Sequence, residues 1–187
     1  MLLTLAKFEL KNLLRDKMTS VMIAYPLVLG GIGKYLIASN LVEGQALSII
    51  AMVLTIMAGV AYGAMSGFSL LDDRDDQVFA SIQISPVSLN FYIWFKVVFA
   101  YCLAVLSGFF IIFLLAVFDL AYAQMLLVAA ASALQTPIVA FFINAFANNK
   151  VEGFAAMKAA GFITMLPPVA AFFFLDWKEW LFAFSPG

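Results

Sequence analysis

Long stretches without a charged residue dominate this sequence of 187 residues. A bilayer core about 30 Å thick is crossed by about 20 apolar residues in an α-helix. Runs of this length are too long for barrel strands, and in lipid a helix satisfies its own backbone. We therefore predict an all-α polytopic membrane helix bundle. Its five predicted spans are residues 18–37, 46–71, 91–118, 121–147 and 155–175.

The amino-acid composition argues against several classes of function. The chain is 65% hydrophobic and 11% charged, against about 45–50% and about 25% in soluble chains. It has no His and a single cysteine, Cys102, so it lacks most side chains for metal binding and nucleophilic catalysis and cannot form an internal disulfide. We expect no catalytic, cofactor-binding or metal-binding residue, no enzymatic activity and no nucleic-acid partner.

The basic residues predict the orientation. Cytoplasmic loops of membrane proteins carry an excess of Lys and Arg. With a cytoplasmic N-terminus, only Lys34 and Lys178 of the ten basic residues fall outside. We therefore predict a multi-pass protein of the cell membrane with its N-terminus in the cytoplasm. Five spans would leave the C-terminus outside, so we expect a sixth span beyond Gly187 and a sequence truncated at its C-terminal end.

Residues 2–17 differ from the spans because they mix charged and apolar residues at helical spacing. An apolar arc faces one way, and a basic stripe at positions i, i+4 and i+8 lies beside it. This pattern predicts an amphipathic helix lying on the membrane, with lipid as its partner. The arc is Leu2, Leu3, Ala6, Leu10, Leu13 and Leu14, and the stripe is Lys7, Lys11 and Arg15.

The loop between the second and third predicted spans, residues 72–86, combines dense charge with a helical pattern. Val78, Phe79 and Ile82 give a short helix one apolar face. The Ser85-Pro86 pair should end that helix, because a residue before proline is pushed out of the helical region. Because this short helix is held between two rigid spans, a force that a partner applies to it would tilt both spans together.

The order of these features resembles the permease subunits of type 2 ATP-binding-cassette exporters, including the drug or fluoroquinolone export branch. Such permeases have a basic amphipathic helix, two spans, an acidic-basic-acidic loop, a short helix, a small residue plus Pro, and a Lys entering the next span. This chain supplies Asp73-Arg74-Asp75, Ser85-Pro86 and Lys96. It departs from the pattern at Gln77-Val78, where the family has Gly-Thr, and at Asp73, where Glu is commoner.

The resemblance implies a six-span permease that forms a homodimer and binds a separate ATP-binding-cassette ATPase subunit through the loop helix. ATP hydrolysis would occur in that partner. The spans, which are poor in charge, predict a drug-like or lipid-like cargo. The residues predicted to couple the permease to the ATPase are Asp73, Arg74, Asp75, Phe79, Ile82, Ser85 and Pro86.

Two alternatives stay open from the sequence. The acidic run from Asp72 to Asp76 resembles the magnesium-binding motif of membrane prenyltransferases and phospholipid transferases, although such chemistry needs a second acidic motif. The chain could also be an accessory membrane subunit without transport activity.

Small and polar residues within the spans have two interpretations. Gly59, Gly63 and Gly67 recur every four residues in the second span, which is typical of close helix packing in lipid. Gln135 and Asn144 in the fourth span are costly to expose to hydrocarbon, so they should face protein or a cavity. Both sets serve either packing or a transport pathway.

Overall fold

The structure is a computed structural model that describes residues 2–15, 17–42 and 44–173. This part of the chain is helical and contains no strand. The helices are α1 (Leu2–Arg15), α2 (Lys17–Ala38), α3 (Gln45–Asp75), α4 (Val78–Gln83), α5 (Leu89–Leu115), α6 (Tyr122–Ala133), α7 (Gln135–Phe146) and α8 (Lys150–Phe173).

The predicted fold class, an all-α membrane helix bundle, is confirmed. Within the described residues, three helical segments are long and apolar enough to cross a bilayer: Ala46–Asp75, Leu89–Leu115 and Tyr122–Phe146. A shorter apolar helix covers Ile23–Ala38. The number of five spans stays a prediction, and the last two residues of the predicted span 155–175 lie outside the described residues.

Helix α3 is the centre of the bundle. It packs against α2, α5, α7 and α8, and its side chains Ala58, Ala64, Phe68 and Leu71 are completely or almost completely buried. By contrast, large apolar side chains remain exposed on the outer faces of the other helices, as at Leu106 of α5. In lipid such surfaces need no cover, so a bundle that is apolar inside and outside fits a membrane.

The fourth predicted span is continuous in sequence but broken in structure. Helices α6 and α7 meet at Leu134, whose N–H donates to Ala131 O at 3.1 Å instead of to the carbonyl four residues back. Pro137 lacks an N–H, and its ring crowds the carbonyl of Ala133 in a regular helix. The break is therefore the kink that Pro137 is expected to produce.

Several helix ends differ from the predicted span boundaries, among them the C-terminal ends of α3 and α5. Helix α3 continues past Leu71 to Asp75, so the first acidic residues of the 72–86 loop form its last turn. Helix α5 ends at Leu115 instead of residue 118, because Ala116 adopts a left-handed conformation with φ of 50°. As a result, the 72–86 loop starts on a rigid helix rather than on a flexible linker.

Candidate functional site

The 72–86 loop forms the short predicted helix and its predicted stops. Helix α4 covers Val78–Gln83 and has no buried residue. The Ser85 hydroxyl donates to Ile82 O at 2.7 Å and accepts from the Val87 N–H at 3.2 Å, which ends the helix before Pro86. Ser88 then caps α5 by accepting from the Phe91 N–H at 3.3 Å. The loop is a compact helical turn set between two long helices.

The turn between α3 and α4 bends at the position where the chain departs from the family pattern. Gln77 adopts the left-handed conformation with φ of 55°. Side chains with a Cβ are disfavoured there, and glycine is not. Gln77 therefore makes this bend at a cost in backbone strain, which the glycine that the resemblance places at this position would avoid.

A cluster of buried and half-buried polar and charged groups lies where this loop joins the bundle. The charge cluster consists of Glu9, Ser69, Asp73, Tyr92 and Lys96, and it joins α1, α3 and α5. Lys96 Nζ donates to Asp73 Oδ2 and, at 2.7 Å, to Ser69 Oγ. It lies 3.6 Å from Glu9 Oε1, and the Tyr92 hydroxyl donates to Asp73 Oδ2 at 3.0 Å.

Burial makes the charge cluster energetically important. Lys96 is 3% exposed and Glu9 is 6% exposed. A buried ion pair stabilises little by itself, but removal of one partner leaves an uncompensated charge in a poorly polarisable surrounding. The cluster therefore fixes the relative rotation of α1, α3 and α5, because few other arrangements pair these groups.

The Glu9 carboxyl is the titratable member of the cluster outside the long spans. Burial raises the pKa of Glu9 above its ordinary value; Lys96 opposes this rise, and Asp73 adds to it. An acid whose pKa is higher in the folded than in the unfolded state contributes stability below the unfolded-state pKa. That contribution is lost as the pH rises through the folded-state pKa, so the cluster prefers a protonated Glu9.

A second set of contacts ties the loop to the turn between α7 and α8. Arg74 Nη2 donates to Ala147 O at 2.7 Å, and Lys150 Nζ lies 2.9 Å from Asp72 Oδ1. Arg74 and Asp72 therefore bind groups of their own chain. Among the residues of the 72–86 loop predicted to couple to an ATPase, Asp73 and Arg74 are held by intramolecular contacts, whereas Asp75 is exposed.

The α7–α8 turn is itself well ordered by hydrogen bonds. Glu152 N–H donates to Asn149 Oδ1 at 3.0 Å, which caps α8. The Glu152 carboxylate accepts from the Asn148 N–H at 2.8 Å and from both Asn side-chain amides. The Asn148 backbone donor is the main reason that the pKa of Glu152 lies below its ordinary value. The turn thus gives Arg74 and Asp72 a fixed partner surface.

The apolar residues of the loop are of two kinds: some pack against the bundle, and one is exposed at the end of α4. Phe79 is half-buried and packs against the cluster of Leu70, Val97 and Ala140. Ile82 is also half-buried, and Ser85 and Pro86 are exposed. Ile84, directly after α4, is 91% exposed and makes no buried contact with the bundle. Phe79 holds α4 against the bundle, and Ile84 presents an apolar tip.

Glu9, Ser69, Tyr92 and Ile84 are not among the site residues predicted from the sequence. A signal existed for Glu9: at 100° per residue it lies 20° beyond Leu2, at the edge of the apolar arc of α1. An acid in that position is buried if the arc packs on protein, and Leu13 on the same arc is 2% exposed. Part of the amphipathic α1 therefore faces the bundle.

The acidic run does not gather into a cage of carboxylates. In the part of the chain that the structure describes, no three His, Cys, Asp or Glu side chains come together in a manner suited to a metal. Asp72 and Asp73 each bind a lysine of the chain. This geometry gives the magnesium-dependent alternative no support.

The glycine stripe of α3 lies against α6 and α7. A Cβ on Gly59 would lie 2.9 Å from Ser132 O, and one on Gly67 would lie 3.0 Å from the Ile143 side chain. Thr136 Oγ1 donates to Gly59 O at 3.0 Å, a contact that links α7 to α3. These contacts place the stripe at a helix interface within one chain.

Gln135 and Asn144 lie at the same interface. Asn144 Nδ2 donates to Gly67 O at 3.0 Å and to Ala140 O at 2.9 Å. Gln135 is 2% exposed, and its Oε1 accepts no hydrogen bond from the described residues. Both amides face protein rather than lipid, and the Gln135 carbonyl oxygen is left for another donor.

The close approach at Gly63 predicts a packing defect on substitution. Gly63→Ala should destabilise the protein by about 1–3 kcal/mol, because its Cβ would lie 2.7 Å from Thr136 O and 2.8 Å from Val139 Cβ. The matched control is Gly31→Ala in α2, where a Cβ meets nothing within 4 Å. We expect Gly31→Ala to be neutral or stabilising by up to about 1 kcal/mol. Unfolding midpoints in detergent measure both, and equal midpoints would contradict the packing.

An all-α bundle with three helical segments, among the described residues, that are long and apolar enough to cross a bilayer defines the chain as a polytopic membrane protein. The comparison with family models agrees with this class. The chain belongs to the family of fluoroquinolones export permease proteins described as Rv2686c-like, whose model matches residues 9–187. Searches of curated proteins and of solved structures give no significant match.

Proposed function

We propose that the chain is the permease subunit of an ATP-driven exporter and that a separate ATP-binding-cassette ATPase subunit moves it through α4. One observation carries this proposal. Helix α4 has no buried residue, yet the charge cluster joins α3 and α5, the helices before and after α4, to each other and to α1. A force on α4 would therefore move α3 and α5 together instead of bending the loop.

The residues of the 72–86 loop take different parts in this coupling. Asp73 and Arg74 fasten the loop to the bundle through Lys96 and Ala147. Phe79 packs α4 against the bundle, and the half-buried Ile82 lies on the same face of α4. Ser85 and Pro86 end α4 and lead the chain toward α5. Asp75 and Ile84 are exposed and form the surface that the ATPase would contact.

The cargo proposed here is a drug-like or lipid-like molecule, and the family description supports a fluoroquinolone. We propose that a second copy of the chain completes the pathway in a homodimer. The protein would lie in the cell membrane with its N-terminus in the cytoplasm, as the basic residues predict. This orientation places α4 on the side where ATP is available.

Reconstitution tests the proposed function directly. The chain is co-expressed with the ATP-binding-cassette ATPase subunits of its own genome and purified through a tag on the permease. We expect the ATPase to co-purify and the complex to move a fluoroquinolone across vesicle membranes only with ATP.

A complex with a catalytically inactive ATPase is the matched control, since it should bind without transport. Transport that proceeds equally with the inactive ATPase would overturn the ATP-driven mechanism. Failure of the ATPase to co-purify would favour an accessory subunit instead.

A further inference from the structure

An open groove of about 500 Å³ runs between α2, α3 and α8. Its walls are almost entirely apolar, and they come from one face of each helix. Representative lining residues are Val21, Tyr25, Val60, Ala64, Lys158 and Gly161. The volume is within the range of about 300–1,000 Å³ that is typical of ligand sites.

Lys158 is the one ionised side chain among the residues that line this groove. It is exposed, and no carboxylate of the described residues lies within ion-pair distance of its ammonium group. It lies eight residues after the start of α8, or about 12 Å along the helix axis. Among the described residues, the groove therefore carries a positive charge without a carboxylate partner, near the end that the basic residues predict to be cytoplasmic.

We propose that this groove binds an anionic phospholipid of the cytoplasmic leaflet, with an acyl chain along the apolar walls and the phosphate against Lys158. The charge pattern of the groove is complementary to that of such a lipid. Basic pockets between membrane helices on the cytoplasmic side are suited to acidic headgroups. This inference goes beyond the transport role and does not depend on an ATPase.

The same charge argues against a second copy of the chain as the occupant. In a two-fold symmetric dimer the same patch faces itself across the interface. A dimer contact centred on this groove would bring two Lys158 side chains together, and like charges repel when water is excluded. A lipid phosphate removes this repulsion, whereas a second copy creates it.

Native mass spectrometry of the purified protein in detergent tests the headgroup contact. The protein is titrated with phosphatidylglycerol and with phosphatidylcholine of the same acyl chains. We expect the wild type to retain phosphatidylglycerol at least fivefold better, and Lys158→Gln to lose that preference. The control is Lys34→Gln, which removes an exposed cation of α2 that does not line the groove. A preference that survives in Lys158→Gln would overturn the proposal.

A second variant tests the acyl-chain site. A Cβ on Gly161 would lie 4.0 Å from Val60 Cγ1 and meet nothing nearer, so Gly161→Leu can fill the groove without a backbone clash. We expect Gly161→Leu to reduce the binding of both lipids, and unchanged binding would contradict the site. Efficient disulfide cross-linking of two copies through Gly161→Cys, in a Cys102→Ser background, would place a second copy there and also overturn the proposal.

Discussion

Replacing Lys96 with methionine should destabilise the protein by about 3–5 kcal/mol, as expected when one partner of a buried ion pair is removed. Methionine retains most of the side-chain volume, so the main loss is the charge. Asp73 would keep its hydrogen bond from Tyr92, but neither it nor Glu9 would retain the contact with the ammonium group. Denaturant titration of the purified protein in detergent, followed by circular dichroism, measures the effect.

Two further variants show whether the charge is responsible. Lys34→Met removes an exposed lysine and should change stability by less than about 0.5 kcal/mol. Lys96→Met combined with Asp73→Asn should cost less than the sum of the two single changes, because the second change removes the carboxylate that the first leaves unpaired. If Lys96→Met destabilises the protein no more than Lys34→Met does, the charge cluster does not stabilise the bundle.

Replacement of Glu9 should affect stability in the opposite direction to replacement of Lys96. The charge cluster contains two carboxylates and one lysine, and burial raises the pKa of Glu9. Glu9→Gln removes the excess negative charge, so the variant should be as stable as the wild type or more stable at pH 8. Its stability should also change less between pH 5 and pH 8, since the wild type loses stability as Glu9 ionises.

The membrane fold could be predicted from the sequence because it depends on local composition. The helices α3 and α5 follow from uncharged runs that no other structure satisfies in lipid. Helix α4 and the Ser88 cap were predictable for a similar reason, since both depend on residues within about four positions. Helix α3 ends four residues later than predicted, at Asp75, where Asp73 and Arg74 of its last turn contact other helices or turns of the bundle.

The charge cluster could not be predicted in the same way. It joins residues 9, 73 and 96, and their meeting depends on the rotation of three helices about their own axes. Sequence assigned Asp73 to a loop exposed to a partner, while the structure places its carboxylate against Lys96. Whether Phe79 packs against the bundle and Ile84 stays exposed likewise depends on which side of a six-residue helix faces the bundle.

The exposed tip of α4 carries the second large prediction: Ile84→Asp should lower ATP-driven transport at least tenfold and weaken binding of the ATPase. Burial of an isoleucine at an interface contributes about 1.5–3 kcal/mol, and each 1.4 kcal/mol corresponds to about tenfold in affinity. An aspartate there would also have to be desolvated without a partner. Co-purification with the ATPase and fluoroquinolone transport in vesicles measure the two effects.

The stability of the permease separates this contact from a folding defect. Ile84 is 91% exposed, so Ile84→Asp should unfold at the wild-type denaturant concentration. Phe79→Ala should differ, because Phe79 packs against Leu70 and Val97 and its loss should lower stability as well as coupling. The matched control is Leu41→Asp, which changes a 66% exposed leucine in the segment between α2 and α3, at the opposite end of α3. If Ile84→Asp transports as well as Leu41→Asp, the tip of α4 is not the surface on which the ATPase acts.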